Sequence, residues 1–309
     1  MNPLLTRRSI LLRSAAVLAS APFVATAHAL AADPQSRPGI QMFMIAADYR
    51  RDPLGTLRQL AAIGYGYVEA FSALLPDMHA FRQMIRDTGL GCPAGHFPFG
   101  IIDTEKALDQ AAALGVRYAI SSILPPTQPK NGNFSGIITA MNTMTADDFR
   151  RQAALANRIG ESARKRGLQF AYHNHNFEFR QVEGKTTGYE IFLRETDPKL
   201  VKLEVDAGWM AAAGADPVAI IRAHPDRVRL LHFKDFSTVT PPIQQLGDGS
   251  GAHIVNLGTG VVPLKAAYAA ARKAGVRYFI VDHDPPFHGQ TTMQAAAADY
   301  HYVAALMRA

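Results

Sequence analysis

One cysteine, Cys92, is all the chain has, so it can form no internal disulfide and no thiolate cage for a metal. It has no arginine-rich run interleaved with aromatics, which argues against nucleic acid as a partner. Beyond the N-terminal segment, no apolar run is long enough to span a bilayer, so no membrane partner is expected there. No G-x-G-x-x-G follows the first candidate strand, which disfavours a dinucleotide-binding sheet. No linker rich in Pro, Ser or Gly interrupts residues 38–309, which are therefore read as one domain. Tryptophan is nearly absent too: Trp209 stands alone.

What is present fits a soluble protein with a sizeable core. The 309 residues are 48% hydrophobic and 19% charged. The formal net charge of +6 includes Arg7, Arg8 and Arg13 in the first segment. That segment runs Thr6-Arg-Arg-Ser-Ile-Leu11, then an apolar stretch from Ala15 to Val24, then Ala27-His-Ala29. A charged start, a short apolar middle and a small-residue end are the marks of a signal peptide. The paired arginines resemble a twin-arginine export signal, expected over residues 1–31 with cleavage near Ala29 or Ala31. The mature protein is then expected to be periplasmic or secreted.

From residue 38 onward, short apolar runs alternate with amphipathic stretches. Eight candidate strands are Gly39–Ile45, Tyr65–Phe71, Gly91–His96, Val116–Ile123, Leu168–Asn174, Leu200–Asp206, Val228–Phe233 and Arg277–Asp284. Between them lie helical patterns with physical start and stop signals. Asp52 precedes Pro53, and Asp77 precedes Met78–Thr88; Gly89, Gly115, Gly167 and Gly275 follow helical stretches. Near-continuous apolar strands such as Tyr-Phe-Ile-Val at 278–281 suit a parallel sheet covered by helices. Eight such units predict a (β/α)8 TIM barrel, whose typical size is about 250 residues. Two connections, Leu124–Thr145 and Phe236–Val262, are long and follow strands, so both fall on the catalytic face. The second is glycine-rich (Gly247, Gly249, Gly251, Gly258, Gly260) and reads as a mobile loop rather than a phosphate cradle.

The strand ends carry the chemistry. Tyr172-His-Asn-His175 breaks an apolar run with two imidazoles on one face, and Glu178 follows just past the strand. Other ends bear Glu69, His96, Asp206 with Trp209 three residues on, His232 with Lys234, and Asp282 with Asp284. In a barrel all of them converge on one rim. Carboxylate oxygen with imidazole nitrogen suits a hard or borderline divalent ion that keeps positions open for substrate oxygens. His173, Asp206, His232 and Asp282 offer one ligand each from four successive strands. Strand geometry alone does not choose between His173 and His175.

The runs Tyr172-His-Asn-His175 with Glu178-Phe179, Asp206-Ala-Gly-Trp209, Leu231-His-Phe-Lys-Asp235 and Val281-Asp-His-Asp284 resemble the sugar phosphate isomerase/epimerase family. Its fold is the xylose isomerase-like TIM barrel, and it includes ketose 3-epimerases, inosose dehydratases and sugar lyases. The resemblance implies one divalent ion (Mn, Mg, Co or Zn) and a small-molecule carbohydrate substrate; an oligomer is compatible with it. The family's metal is held by Glu, Asp, His and Glu at the ends of strands five to eight. Asp206 and His232 match directly. His173 stands where the first glutamate is usual, and Asp282 where the last is usual. In the 3-epimerases those two glutamates also move the proton, so here the work falls to His175, Glu178 or Lys234. Glu69 and His96 are expected to orient hydroxyls, with Trp209 as a flat wall.

The expected activity is therefore a metal-dependent isomerase, epimerase or lyase acting on a sugar, keto-glycoside or cyclitol. Two rival readings are an endonuclease-like phosphodiester hydrolase and a non-catalytic sugar-binding barrel.

Overall fold

The computed structural model describes residues 36–125, 134–247 and 250–309. The expected signal segment, residues 1–31, lies outside the described residues, as does Gly249.

Eight parallel strands close into a barrel in sequential order. They are β1 (Gly39–Gln41), β2 (Tyr67–Phe71), β3 (Gly91–His96), β4 (Tyr118–Ser121), β5 (Gln169–His173), β6 (Val201–Asp206), β7 (Val228–Phe233) and β8 (Tyr278–Val281). The ring closes where Gly39 pairs with both Tyr67 of β2 and Ile280 of β8. Each strand falls within one of the eight apolar runs, and β3 and β7 match theirs in full. β1 stops early for a visible reason. Backbone bonds from Met44 N to Gln41 O and from Ile45 N to Met42 O turn the chain directly into the helix Ala46–Arg51.

The helix signals act as their chemistry requires. Asp52 accepts from Gly55 N at 3.0 Å, and Asp77 accepts from His79 N and Ala80 N at 2.8 and 3.0 Å. Gly89 and Gly115 end their helices in the left-handed conformation, at φ 71° and 79°. The helix Ala146–Lys165 opens on a capping box between Thr145 and Asp148.

Side-chain alternation sorts the barrel interior into layers. Tyr67, Ala94, Tyr118, Ile120, Ala171, Leu230, Tyr278 and Ile280 form an apolar plug within it. Two residues further along the same strand faces stand Glu69, His96, His173, His232 and Asp282. The interior thus turns from apolar to ionisable in one step of the pleat.

Both long connections carry structure of their own. The first contains the helix Phe134–Asn142. The second holds a two-stranded ribbon pairing Asp235–Phe236 with Ile254–Val255. Its glycine-rich end, expected to be a mobile loop, is tied down: the Asp235 carboxylate accepts from the amides of Gly258, Gly260 and Val262 at 2.9, 3.0 and 3.1 Å. The amides that might have cradled a phosphate are already filled by this internal anion.

Candidate active site

Above the apolar plug, the inward positions of β2, β3, β5, β6, β7 and β8 meet in one buried polar cluster. His232 of β7 is fully buried. Its Nε2 lies 2.7 Å from Glu69 Oε2, and its Nδ1 lies 3.1 Å from Asp282 Oδ2. Glu69 also accepts from Gln41 Nε2 at 2.7 Å and stands 3.1 Å from His96 Nε2. Glu204 joins the group through His96 Nε2 at 2.9 Å and His173 Nδ1 at 3.0 Å. Lys234 is buried beside it, donating to Asp284 at 2.8 Å, with Asp282 at 3.3 Å and the Trp209 ring 5.4 Å away.

His173, Asp206, His232 and Asp282 each bring one ligand atom into a group spanning no more than 4.8 Å. Whether they suit a cation can be judged at Asp206. One of its oxygens caps the next helix through Trp209 N at 2.8 Å. The other, Oδ2, is buried without a hydrogen-bond partner and lies 3.9 Å from His173 Nε2. A buried carboxylate oxygen left bare beside an imidazole nitrogen is costly unless a proton or cation sits there. Burial and the neighbouring His232 hold His173 well below the usual histidine pKa, so it is neutral. For His232, burial is outweighed by Glu204, Glu69 and Asp282, which hold it well above that value, so His232 would ligate an ion only after giving up its proton. The donor set fits a borderline divalent ion. A second set, His96, His173, Glu204 and His232, is equally compact. In it His96 and His173 hydrogen-bond Glu204, as His232 does Asp282 in the first set, and one Glu204 oxygen, like Asp206 Oδ2, has no hydrogen-bond partner.

Over this cluster opens a cavity of about 320 Å³. His96, His173, His175, Trp209, Asp282 and Asp284 are among its walls. Of the residues expected to face substrate, His175, His96 and Trp209 line this cavity. Three others do not. Glu69 is absent from the cavity lining and is engaged with His232, His96 and Gln41. Lys234 lies behind Asp282 and Asp284 and is fully buried. Glu178 sits in a short 3-10 turn, Phe177–Phe179, that turns its carboxylate inward. There it accepts from Tyr172 OH at 2.8 Å and from His175 N at 3.0 Å, fixing the loop that bears His175. Glu204 and Gln41 did not figure among the expected site residues. The signal for Glu204 was its position two residues before Asp206, on the same strand face.

A family model described as the xylose isomerase-like TIM barrel matches residues 57–298. The chain belongs to this family. An inosose dehydratase of Lacticaseibacillus casei is 29% identical over 157 residues, 46% of this chain and 49% of that protein. The match thus spans about half the length of that curated relative. A sugar phosphate isomerase/epimerase of Parabacteroides distasonis superposes with a TM-score of 0.69 at 24% identity, covering 87% of this chain and 93% of that one. The IolI protein, solved with a bound zinc atom, superposes with a TM-score of 0.63 at 14% identity, covering 88% and 98%. These likenesses show the barrel architecture.

Within that architecture the protonation states are divided. Burial lowers His96, but Glu69 and Glu204 more than offset it and raise it to about 9, so it is an imidazolium at neutral pH. His175, buried and facing the charge of Lys234, is pushed down to about 3 and stays neutral. Burial raises Asp206 to about 7 against the pull of Lys234. One neutral and one charged imidazole on the wall of one cavity give the site both a proton acceptor and a proton donor.

Proposed function

We propose that this chain is a divalent-metal enzyme acting on an unphosphorylated sugar or cyclitol that carries a carbonyl group. The reaction proposed is an elimination: a proton leaves the carbon beside the carbonyl, and a hydroxyl leaves the next carbon as water. The observation that carries this reading is His175, whose Nδ1 is buried at the cavity wall without a hydrogen-bond partner. Unpaired in the fold, that nitrogen is the acceptor we assign to the substrate proton, although at about 3 it is a weak base until substrate displaces its apolar surroundings. His96, held cationic by two glutamates, donates to the departing oxygen. Trp209, 5.8 Å from the His175 ring, gives the sugar a flat apolar face to rest on.

His173, Asp206, His232 and Asp282 are the residues that would hold the ion. When bound, it would supply Lewis acidity toward a vicinal carbonyl and hydroxyl. Glu69 keeps His232 oriented, and Lys234 keeps the Asp282 carboxylate ionised and holds Asp284 in place.

Elimination is favoured over epimerisation by what faces His175. An epimerase returns the proton to the opposite face and needs a second base there. The carboxylates on the cavity wall, Asp282 and Asp284, are both paired with Lys234. No lysine or arginine is among the described residues lining the cavity, which suits a substrate without phosphate. The inosose dehydratase relatives support the same direction. With residues 1–31 read as an export signal, we further propose that the reaction takes place outside the cytoplasm, which agrees with a substrate without phosphate.

The test is to incubate manganese-loaded protein with an inosose in deuterated water. Expected are deuterium at the carbon beside the carbonyl and a product lighter by one water. Unchanged exchange after chelation of the metal, or exchange with no loss of water, would overturn the reading in its metal or its elimination part.

A further inference from the structure

Among the described residues, the ionisable lining of the cavity comes from the strand ends at its floor. Higher up, its walls are Phe43 and Phe71 on one flank and Ile123, Ile138, Leu246 and Ile254 from the two long connections. The placement of these walls follows from the chain. Phe43 follows β1 and Phe71 ends β2, and their rings meet edge to face at 5.6 Å. The long connections after β4 and β7 clasp each other through Asn142 and Leu246, whose amide groups exchange two hydrogen bonds of 2.9 and 2.8 Å. They are pinned over β5 and β6, because Asn176 donates to Gln245 O at 2.9 Å and Gln244 donates to Ala213 O at 3.0 Å. In a ring of eight strands, β5 and β6 lie opposite β1 and β2. An aromatic wall and an aliphatic wall therefore face each other across the mouth.

A bare cyclitol can rest on the floor but leaves these upper walls unmatched. With hydroxyls around its whole ring, its outward ones would press against Phe, Ile and Leu side chains that offer no hydrogen bond, at a real desolvation cost. Phe43 sharpens the point. Among the described residues, it and Val261 are the exposed large hydrophobics, at 45% and 56%. Val261 lies away from the cavity, whereas Phe43 stands at its mouth.

We infer that the substrate is a sugar ring bearing an apolar group, such as an aryl aglycone, which fills the mouth between Phe43–Phe71 and Ile138–Leu246 while the ring rests on the histidine floor. This rests on the reading of the floor as the sugar-processing centre. The volume agrees: about 320 Å³ falls at the lower end of the roughly 300–1,000 Å³ typical of pockets for drug-sized ligands.

The test is binding calorimetry on the metal-loaded protein with phenyl β-glucoside and methyl β-glucoside, which differ only in the group meant for the mouth. The phenyl compound is expected to bind about tenfold tighter or better. Phe43→Ser, an exposed change that the fold tolerates, is expected to shrink that advantage to about threefold or less, while Val261→Ser leaves it intact. The inference is overturned if the two glucosides bind within about threefold of each other, if neither binds, or if the advantage survives Phe43→Ser. Inosose exchange in deuterated water is read separately. Exchange that persists while the two glucosides bind alike removes the apolar group and leaves the chemistry. A phenyl preference without exchange does the reverse.

Discussion

Glu69 and His232 lie 163 positions apart in the chain, yet a carboxylate oxygen of one is 2.7 Å from Nε2 of the other, with both side chains fully buried. The remaining nitrogen of His232, Nδ1, faces the ligand group at Asp282. This is the carboxylate–histidine arrangement that fixes an imidazole's ring plane and raises its basicity toward a metal. Burial raises the pKa of Glu69, but His232 and His96 outweigh it and hold the carboxyl well below its usual range, so it acts as an anion. Replacing it with the neutral isostere, Glu69→Gln, is expected to weaken divalent metal binding by about 10–100-fold, measured by competition with a chromogenic chelator. An unchanged dissociation constant would remove Glu69 from the metal site.

Strand alternation would put His173 and His175 on one face, but β5 ends at His173 and the structure gives the two different neighbours. His173 faces Asp206 and Glu204, while His175 lies against Trp209 and lines the cavity. His173→Gln is expected to abolish stoichiometric metal binding. His175→Gln is expected to keep the metal and lose about 10²–10⁴-fold in the rate of deuterium exchange. Elemental analysis and exchange kinetics on the two variants separate the roles. The same loss of metal in both variants would show that the pair acts as one ligand unit.

Much of this site was legible in the sequence, for a reason particular to barrels. A strand's inward residues repeat every second position, so an ionisable group at a strand end has a computable direction. That is why His173, Asp206, His232 and Asp282 were picked out and do meet. Glu204 escaped notice because it sits inside a strand, where a polar residue reads as a rim or solvent position. Only the closing of the ring shows it facing His96 and His173. The direction of Glu178 was hidden for the opposite reason. It lies past the strand end, where a single 3-10 turn decides whether a carboxylate faces the cavity or the core, and no periodicity records that choice. The helix Phe134–Asn142 was hidden in a stretch read as loop, because it is short and its apolar face packs on another connection rather than on the barrel.

Glu178 leads to a prediction in pH. Burial raises its pKa to about 7, against an ordinary value of 4.5. A carboxyl with a raised folded-state pKa binds its proton more tightly in the native than in the unfolded state. Its stabilising contribution is full below pH 4.5 and is lost as pH climbs through about 7. Glu178→Gln can still accept from Tyr172 OH and His175 N through its amide oxygen but cannot ionise. The difference in unfolding free energy between wild type and variant is expected to move by on the order of 3 kcal/mol in the variant's favour from pH 4 to pH 8. Urea midpoints at the two pH values measure it. A difference independent of pH would mean that the carboxyl ionises in the fold as freely as in water.

Asp235 makes the contrasting case, a carboxylate one residue from Lys234 that belongs to the scaffold. It is 1% exposed and points away from the cluster. Its oxygens accept four backbone amides, those of Phe236, Gly258, Gly260 and Val262, at 2.9 to 3.1 Å. Gly260 is required by this arrangement, since any Cβ there would collide with the Asp235 carboxylate itself. Asp235→Ala leaves those amides without their acceptor, and buried unsatisfied donors cost about 1–3 kcal/mol each, less where water enters. The variant is expected to lose about 2–4 kcal/mol of stability, read from the urea midpoint, with metal affinity within about twofold of wild type. Asp235→Asn, with one acceptor oxygen left, should fall between the two. A variant that kept its stability but lost its metal would place Asp235 in the active site after all, and would make the glycine-rich segment part of the chemistry instead of its support.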